Sequence, residues 1–148
     1  MSSETDLIKL YSGKILQMAA EPIYRERLSE PDASATKRSP LCGSAVTVDI
    51  NVESGLITHY GQDVRACALG QAASTIVGKS IIGRSITEVR KAYEELSQML
   101  KNNGPTPSEP FDNLYVLKPA VEYKNRHASI LLPIEATLDA FQKIEDEK

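Results

Sequence analysis

Few residues in this chain can bind a metal or attack sulfur: two cysteines, Cys42 and Cys67, and two histidines, His59 and His127. Cysteine thiolate and neutral imidazole are the forms in which these side chains bind metals. Cys42 lies in Pro40-Leu41-Cys42-Gly43, where a loop enters a strand, and Gly43 lets the backbone bend close to whatever the sulfur touches. Cys67 immediately precedes ALGQAASTIVG, a run of small residues that suits a short helix packed closely on its neighbours. A helix N-terminus favours the anionic sulfur that binds metals, and Cys67 is placed at one. His127 is expected to open the last helix, where the same dipole favours the neutral ring a metal ligand must have. His59, mid-strand between Thr58 and Tyr60, is expected to face solvent. A plainer reading stands beside this one, because free cysteines are usually small buried hydrophobes. GxGxxG, P-loop, HExxH and GxSxG patterns are absent, which removes the common nucleotide, zinc-protease and hydrolase signatures.

These residues need elements to hold them. Ile8, Tyr11, Ile15 and Met18 follow one helical face from near Thr5 until Pro22. EPDASATKRSP, from Glu30 to Pro40, is rich in proline, serine and charge and is expected to be an extended loop. Val46, Val48, Ile50 and Val52 alternate with Thr47, Asp49, Asn51 and Glu53, a strand with one apolar face inward and one polar face outward. Ser54-Gly55 turns the chain into a second strand from Leu56 to Arg65, with Thr58, Tyr60, Gln62 and Val64 on one face. In such a hairpin the start of the first strand and the end of the second share a sheet edge, so Cys42 and Cys67 are expected to be neighbours. Ser85 followed by Glu88 is a capping box ahead of Ile86, Val89, Tyr93, Leu96 and Leu100, a helix reaching about Lys101. NNGPTPSEP breaks it, YVLKPAVEY is expected to run extended, and Leu131, Ile134, Leu138 and Phe141 mark a final helix that Pro133 should kink or restart. The order predicts an α+β fold, a small antiparallel β-sheet packed against helices.

At 148 residues the chain has the size of one domain, expected over residues 1–148. Seventeen Lys plus Arg against 20 Asp plus Glu give a net charge of −3, with no basic run beyond Lys37-Arg38, so nucleic acid and anionic membrane are not expected partners. Two cysteines make no secreted disulfide framework, MSSETD lacks the apolar region of a signal peptide, and no run is long enough for a membrane span. A reducing cytoplasm is the expected setting.

Four segments together resemble the U-type iron–sulfur cluster assembly scaffolds, the IscU/SufU/NifU N-terminal family, over nearly the whole chain. LYSGKILQMAAEP is similar to the family's opening helix. Pro40-Leu41-Cys42-Gly43-Ser44 is similar to its P-x-C-G-D motif, and Ala66-Cys67-Ala68-Leu69-Gly70-Gln71-Ala72-Ala73-Ser74 to G-C-A-I-S-x-A-S. Arg126-His127-Ala128-Ser129-Ile130-Leu131 is similar to H-C-S-I-L. The long interval between Cys67 and Ala128, holding the Ser85 helix, resembles the SufU-like branch, and VLKPAVEYK lacks the chaperone-recognition motif of the IscU branch. The chain departs from the pattern twice: Ala128 stands where the family has its third cysteine, and Ser44 where it has an aspartate. The resemblance implies a scaffold or carrier, not an enzyme, that binds iron, zinc or a labile [2Fe-2S] cluster through Cys42, Cys67 and His127. Its implied partners are a cysteine desulfurase and recipient apo-proteins. Two alternatives follow from the departures: a zinc-dependent sulfur acceptor working with the desulfurase, or a metal-free partner-binding relic of the fold.

Overall fold

The computed structural model describes residues 13–21, 23–40 and 43–147. Cys42 therefore lies outside the described residues, as does the part of the expected first helix before residue 13. The described part of that helix is α1, Lys14–Ala20, which buries Ile15 and Met18. Three antiparallel strands follow in the order β1, β2, β3: Ala33–Arg38, Ala45–Glu53 and Leu56–Arg65. Then come α2 (Ala68–Ile81), α3 (Ile86–Asn102), a 3₁₀ helix over Asp112–Glu122, and α4 (Lys124–Asp146). This is the expected α+β architecture.

The β2–β3 hairpin follows its sequence pattern. Val46, Val48 and Ile50 are fully buried and pair with Val64, Gln62 and Tyr60 on β3. Ser54 and Gly55 both take positive φ, 52° and 79°, which a two-residue hairpin turn requires. The register shifts at Asn51/Val52, and Val52 is only partly buried. One expectation for the polar face fails. Asp49 is fully buried, because Arg27, Leu28 and Ser34 close over it.

Two segments expected to be irregular are regular. Within the Glu30–Pro40 stretch, Ala33–Arg38 is an edge strand paired with β2 from Ala33 opposite Ile50 to Arg38 opposite Ala45. Its serine, threonine and cations suit an edge, where one side of the ladder meets water. YVLKPAVEY is not extended but lies in the 3₁₀ helix. Phe111, Leu114, Leu117 and Ala120 recur every third residue and are all buried, which is the period of a 3₁₀ turn.

The two long helices differ at their ends and in their interiors. Ser85 caps α3: its hydroxyl accepts from the Glu88 N–H, and the Glu88 carboxylate accepts from the Ser85 N–H. Asn103 ends α3 in the left-handed conformation. α4 starts at Lys124, three residues before the expected His127, and runs through Pro133 without restarting. The ring of Pro133 has no N–H, so the carbonyl of Ser129, four residues earlier, loses its ordinary helical donor. α4 packs on β1, β2, α2 and α3, and so lies at the centre of the core.

Candidate functional site

Three elements meet at one end of the sheet. The register sets Ala45, at the start of β2, opposite Arg65, at the end of β3, so the segments flanking both cysteines share that end. The β1–β2 connection is closed by two bonds, from Ser39 N–H to the Ser44 carbonyl (2.8 Å) and from Gly43 N–H to the Ser39 carbonyl (3.0 Å). Gly43 takes φ 71°, the left-handed bend that glycine adopts without strain.

Cys67 is the N-cap residue of α2, as expected, and is half-buried. Its Sγ lies 3.7 Å from Ser129 Oγ on α4. Ser129 Oγ is in turn 3.1 Å from Ser44 Oγ, and both serines are buried. A thiol and two hydroxyls from three elements thus form one contact chain. Gly70, one turn into α2, makes this approach possible. A Cβ on it would stand 2.6 Å from both Ser129 Oγ and Ala66 Cβ, closer than atoms can pack. Neither Ser129 nor Gly70 stood out as a site residue in the sequence, although the small-residue run pointed to close packing at this helix.

His127 is buried and bonded elsewhere. Its Nε2 sits 3.0 Å from the carbonyl oxygens of both Ala120 and Val121 at the end of the 3₁₀ helix. A carbonyl can only accept, so Nε2 is the nitrogen that carries a proton here. Donation from one ring nitrogen to a backbone carbonyl is the arrangement that orients an imidazole ligand for metal on the other. Ser129 and His127 are two positions apart on α4, and residues at that spacing point to different sides of a helix. Cys67 meets the Ser129 side. His59 is exposed, as expected, with Nδ1 3.2 Å from Thr58 Oγ1. Among the described residues no group of three or more His, Cys, Asp or Glu is placed to hold a metal ion, and no helix is long and apolar enough to cross a membrane.

A second polar cluster lies on the outer face of the sheet. Asp49 accepts from Arg27 Nε (2.6 Å), a second Arg27 nitrogen (3.0 Å), the Leu28 N–H (3.0 Å) and the Ser34 hydroxyl. Burial alone would raise this carboxyl, but these donors outweigh it and hold Asp49 below the usual carboxylate range.

Comparison with known proteins agrees with this architecture. A protein with 24% identity over 140 residues, covering 91% of this chain and 94% of its own length, is the iron–sulfur cluster assembly scaffold protein IscU of Thermotoga maritima. The crystal structure of the N-terminal part of a nitrogen-fixing NifU-like protein from Brucella abortus superposes with a TM-score of 0.93 at 39% identity, over 97% of this chain and 99% of that one. FiSufU from the thermophile Fervidobacterium islandicum AW-1 shares the fold, with a TM-score of 0.80 at 18% identity, over 90% of this chain and 98% of its own. The model of the NifU-like N terminal domain matches residues 10–128, a span that holds both cysteines, all three strands and His127, and the chain belongs to that family.

Proposed function

We propose that this chain, as one domain over residues 1–148, is an iron–sulfur cluster assembly scaffold or carrier of the cytoplasm. In this reading it is not an enzyme. Iron, zinc or a labile [2Fe-2S] cluster is its cargo, received at Cys42 and Cys67 with His127 and passed to recipient apo-proteins, with sulfur supplied by a cysteine desulfurase. Family membership supports the reading, as does a relative named as an IscU scaffold that aligns with 91% of the chain. The observation that carries it to a site is Cys67, half-buried at the N-cap of a 14-residue helix. Such a sulfur is reachable from solvent. Anaerobic incubation with ferrous iron and sulfide, followed by desalting, should leave a protein-bound visible chromophore. Cys42→Ser and Cys67→Ser should each abolish it. A wild-type protein that stays colourless and also retains no zinc would sink the proposal.

The hydroxyl chain from Cys67 to Ser44 favours a second reading, a metal-free partner-binding member of the family. Hydroxyls are weak ligands for zinc and for clusters, which take thiolate, imidazole or carboxylate. Zinc and iron measured in protein purified without chelators separate the two. About one metal per chain excludes the metal-free reading. A third role, as zinc-dependent sulfur acceptor, requires persulfide to appear on Cys42 or Cys67 after incubation with a cysteine desulfurase and cysteine.

A further inference from the structure

A cleft of about 510 Å³ opens between α3 and α4, within the ~300–1,000 Å³ range of small-molecule sites. Arg90, near the start of α3, meets Gln142, near the end of α4, at 3.3 Å, so the two helices run antiparallel. Tyr93 and Glu135 therefore lie toward one end of the cleft and Lys101 and Lys124 toward the other, a span of about 12 Å along α3. Ala128 and Leu131 give the stretch of α4 between them an apolar floor.

The fold makes no use of the polar groups that border this space. Among the described residues, the side chains of Tyr93, Lys101, Lys124 and Glu135 make no hydrogen bond and no close ion pair. Lys37, the neighbouring cation from β1, is by contrast held by Asp139 at 3.0 Å. Glu135 is half-buried, and burial pushes its carboxyl above the usual range against the pull of Lys37 and Lys101. A carboxylate shielded from water and given no donor is under-satisfied, and a donor arriving from outside the chain relieves that cost. In a chain of net charge −3, the two exposed lysines at the opposite end are a local concentration of cations.

We propose that this cleft binds an aromatic organic anion, with a carboxylate or phosphate head between Lys101 and Lys124, a flat apolar body over Ala128 and Leu131 against Tyr93, and a hydrogen-bond donor at its far end on Glu135. Each part of such a molecule answers a group that the chain leaves without a partner. Two cations take the oxyanion head, the tyrosine ring offers a face for stacking, and the lone carboxylate accepts from a hydroxyl or amino group. The site uses neither cysteine, so it stands whether or not the chain carries a cluster.

The test titrates the metal-free full chain calorimetrically with four probes: 2-naphthoate, 2-naphthyl phosphate, 6-hydroxy-2-naphthoate and the uncharged 2-naphthamide. The better of the two unsubstituted anions should bind about tenfold tighter than the amide, and rising ionic strength should weaken the anions alone. The 6-hydroxyl should add about threefold over 2-naphthoate. Lys101→Ala/Lys124→Ala should remove the advantage of the anions over the amide while circular dichroism stays unchanged. Glu135→Leu should erase the gain from the hydroxyl and leave 2-naphthoate bound at least as tightly. Tighter binding of the carboxylate or of the phosphate identifies which head the site takes, and either result supports it. No binding of any anion at millimolar probe, equal binding of the amide, or an unaffected double variant overturns the anion site. A hydroxyl that adds nothing in the wild type overturns the contact with Glu135.

Discussion

Asp49, mid-way along the central strand, and Cys67, at one end of the sheet, each meet a hydroxyl group, and the two clusters are finished to different degrees. Around Asp49 a buried carboxylate receives four donors, from Arg27, Leu28 and Ser34. Little of its bonding capacity is left over, which is how a buried charge becomes tolerable. Around Cys67 the sulfur has one long contact to a hydroxyl at 3.7 Å and no charged partner among the described residues. The first cluster is complete within the chain. The second keeps valence in reserve, and that reserve separates a structural polar group from one available for binding.

Four substitutions and one titration probe this difference, in order of expected effect on stability. Asp49→Ala should cost about 1–3 kcal/mol, read as a lower urea midpoint, because it strips four donors, from Arg27, Leu28 and Ser34, of their acceptor. Acid should reproduce part of that loss. A carboxylate held below its unfolded value stabilises the fold above that value and loses its contribution as pH falls through the folded one. The wild type should therefore weaken more steeply than Asp49→Asn as pH falls below the ordinary carboxylate range of about 4, and parallel curves would show that Asp49 is not the group responsible. Gly70→Ala should cost about 1–2 kcal/mol by pushing Ser129 and Ala66 apart, and it should also lower cluster retention at Cys67. Ser129→Ala should cost about 0.5–1 kcal/mol, the size of a neutral hydroxyl bond. Cys67→Ser should change stability by less than about 0.5 kcal/mol while abolishing the chromophore. A large stability loss there would make Cys67 a core residue and erase the contrast with Asp49.

The parts of the fold legible in the sequence are those whose signals are local. Alternation from Val46 to Ile50, the Ser54-Gly55 turn and the Ser85/Glu88 box each act within a few residues, and each appears in the structure. The segment over Ala33–Arg38 was illegible because an edge strand takes its order from a partner. Thr36 Oγ1 meets Thr47 Oγ1 at 2.8 Å across the ladder, and nothing inside ASATKR announces that neighbour. Asp49 misled for the same reason, since the residues that bury it come from a remote connector. The 3₁₀ helix did carry a signal, the three-residue spacing from Phe111 to Ala120, masked by Pro119 and by comparison with the α period alone. At the site, Cys67 at the head of a helix was readable, whereas its contact with Ser129 depends on how α2 and α4 dock.

Pro133 gives that contact a mechanical character. By withholding an N–H from the Ser129 carbonyl, it removes one rung from α4 in the turn that faces Cys67. The helix continues on both sides, with the Thr137 hydroxyl donating to the Pro133 carbonyl at 2.7 Å, so the compliance is confined to a single turn. The wall beside Cys67 can yield locally, while the rest of α4, clamped by β1, β2 and α3, keeps its place.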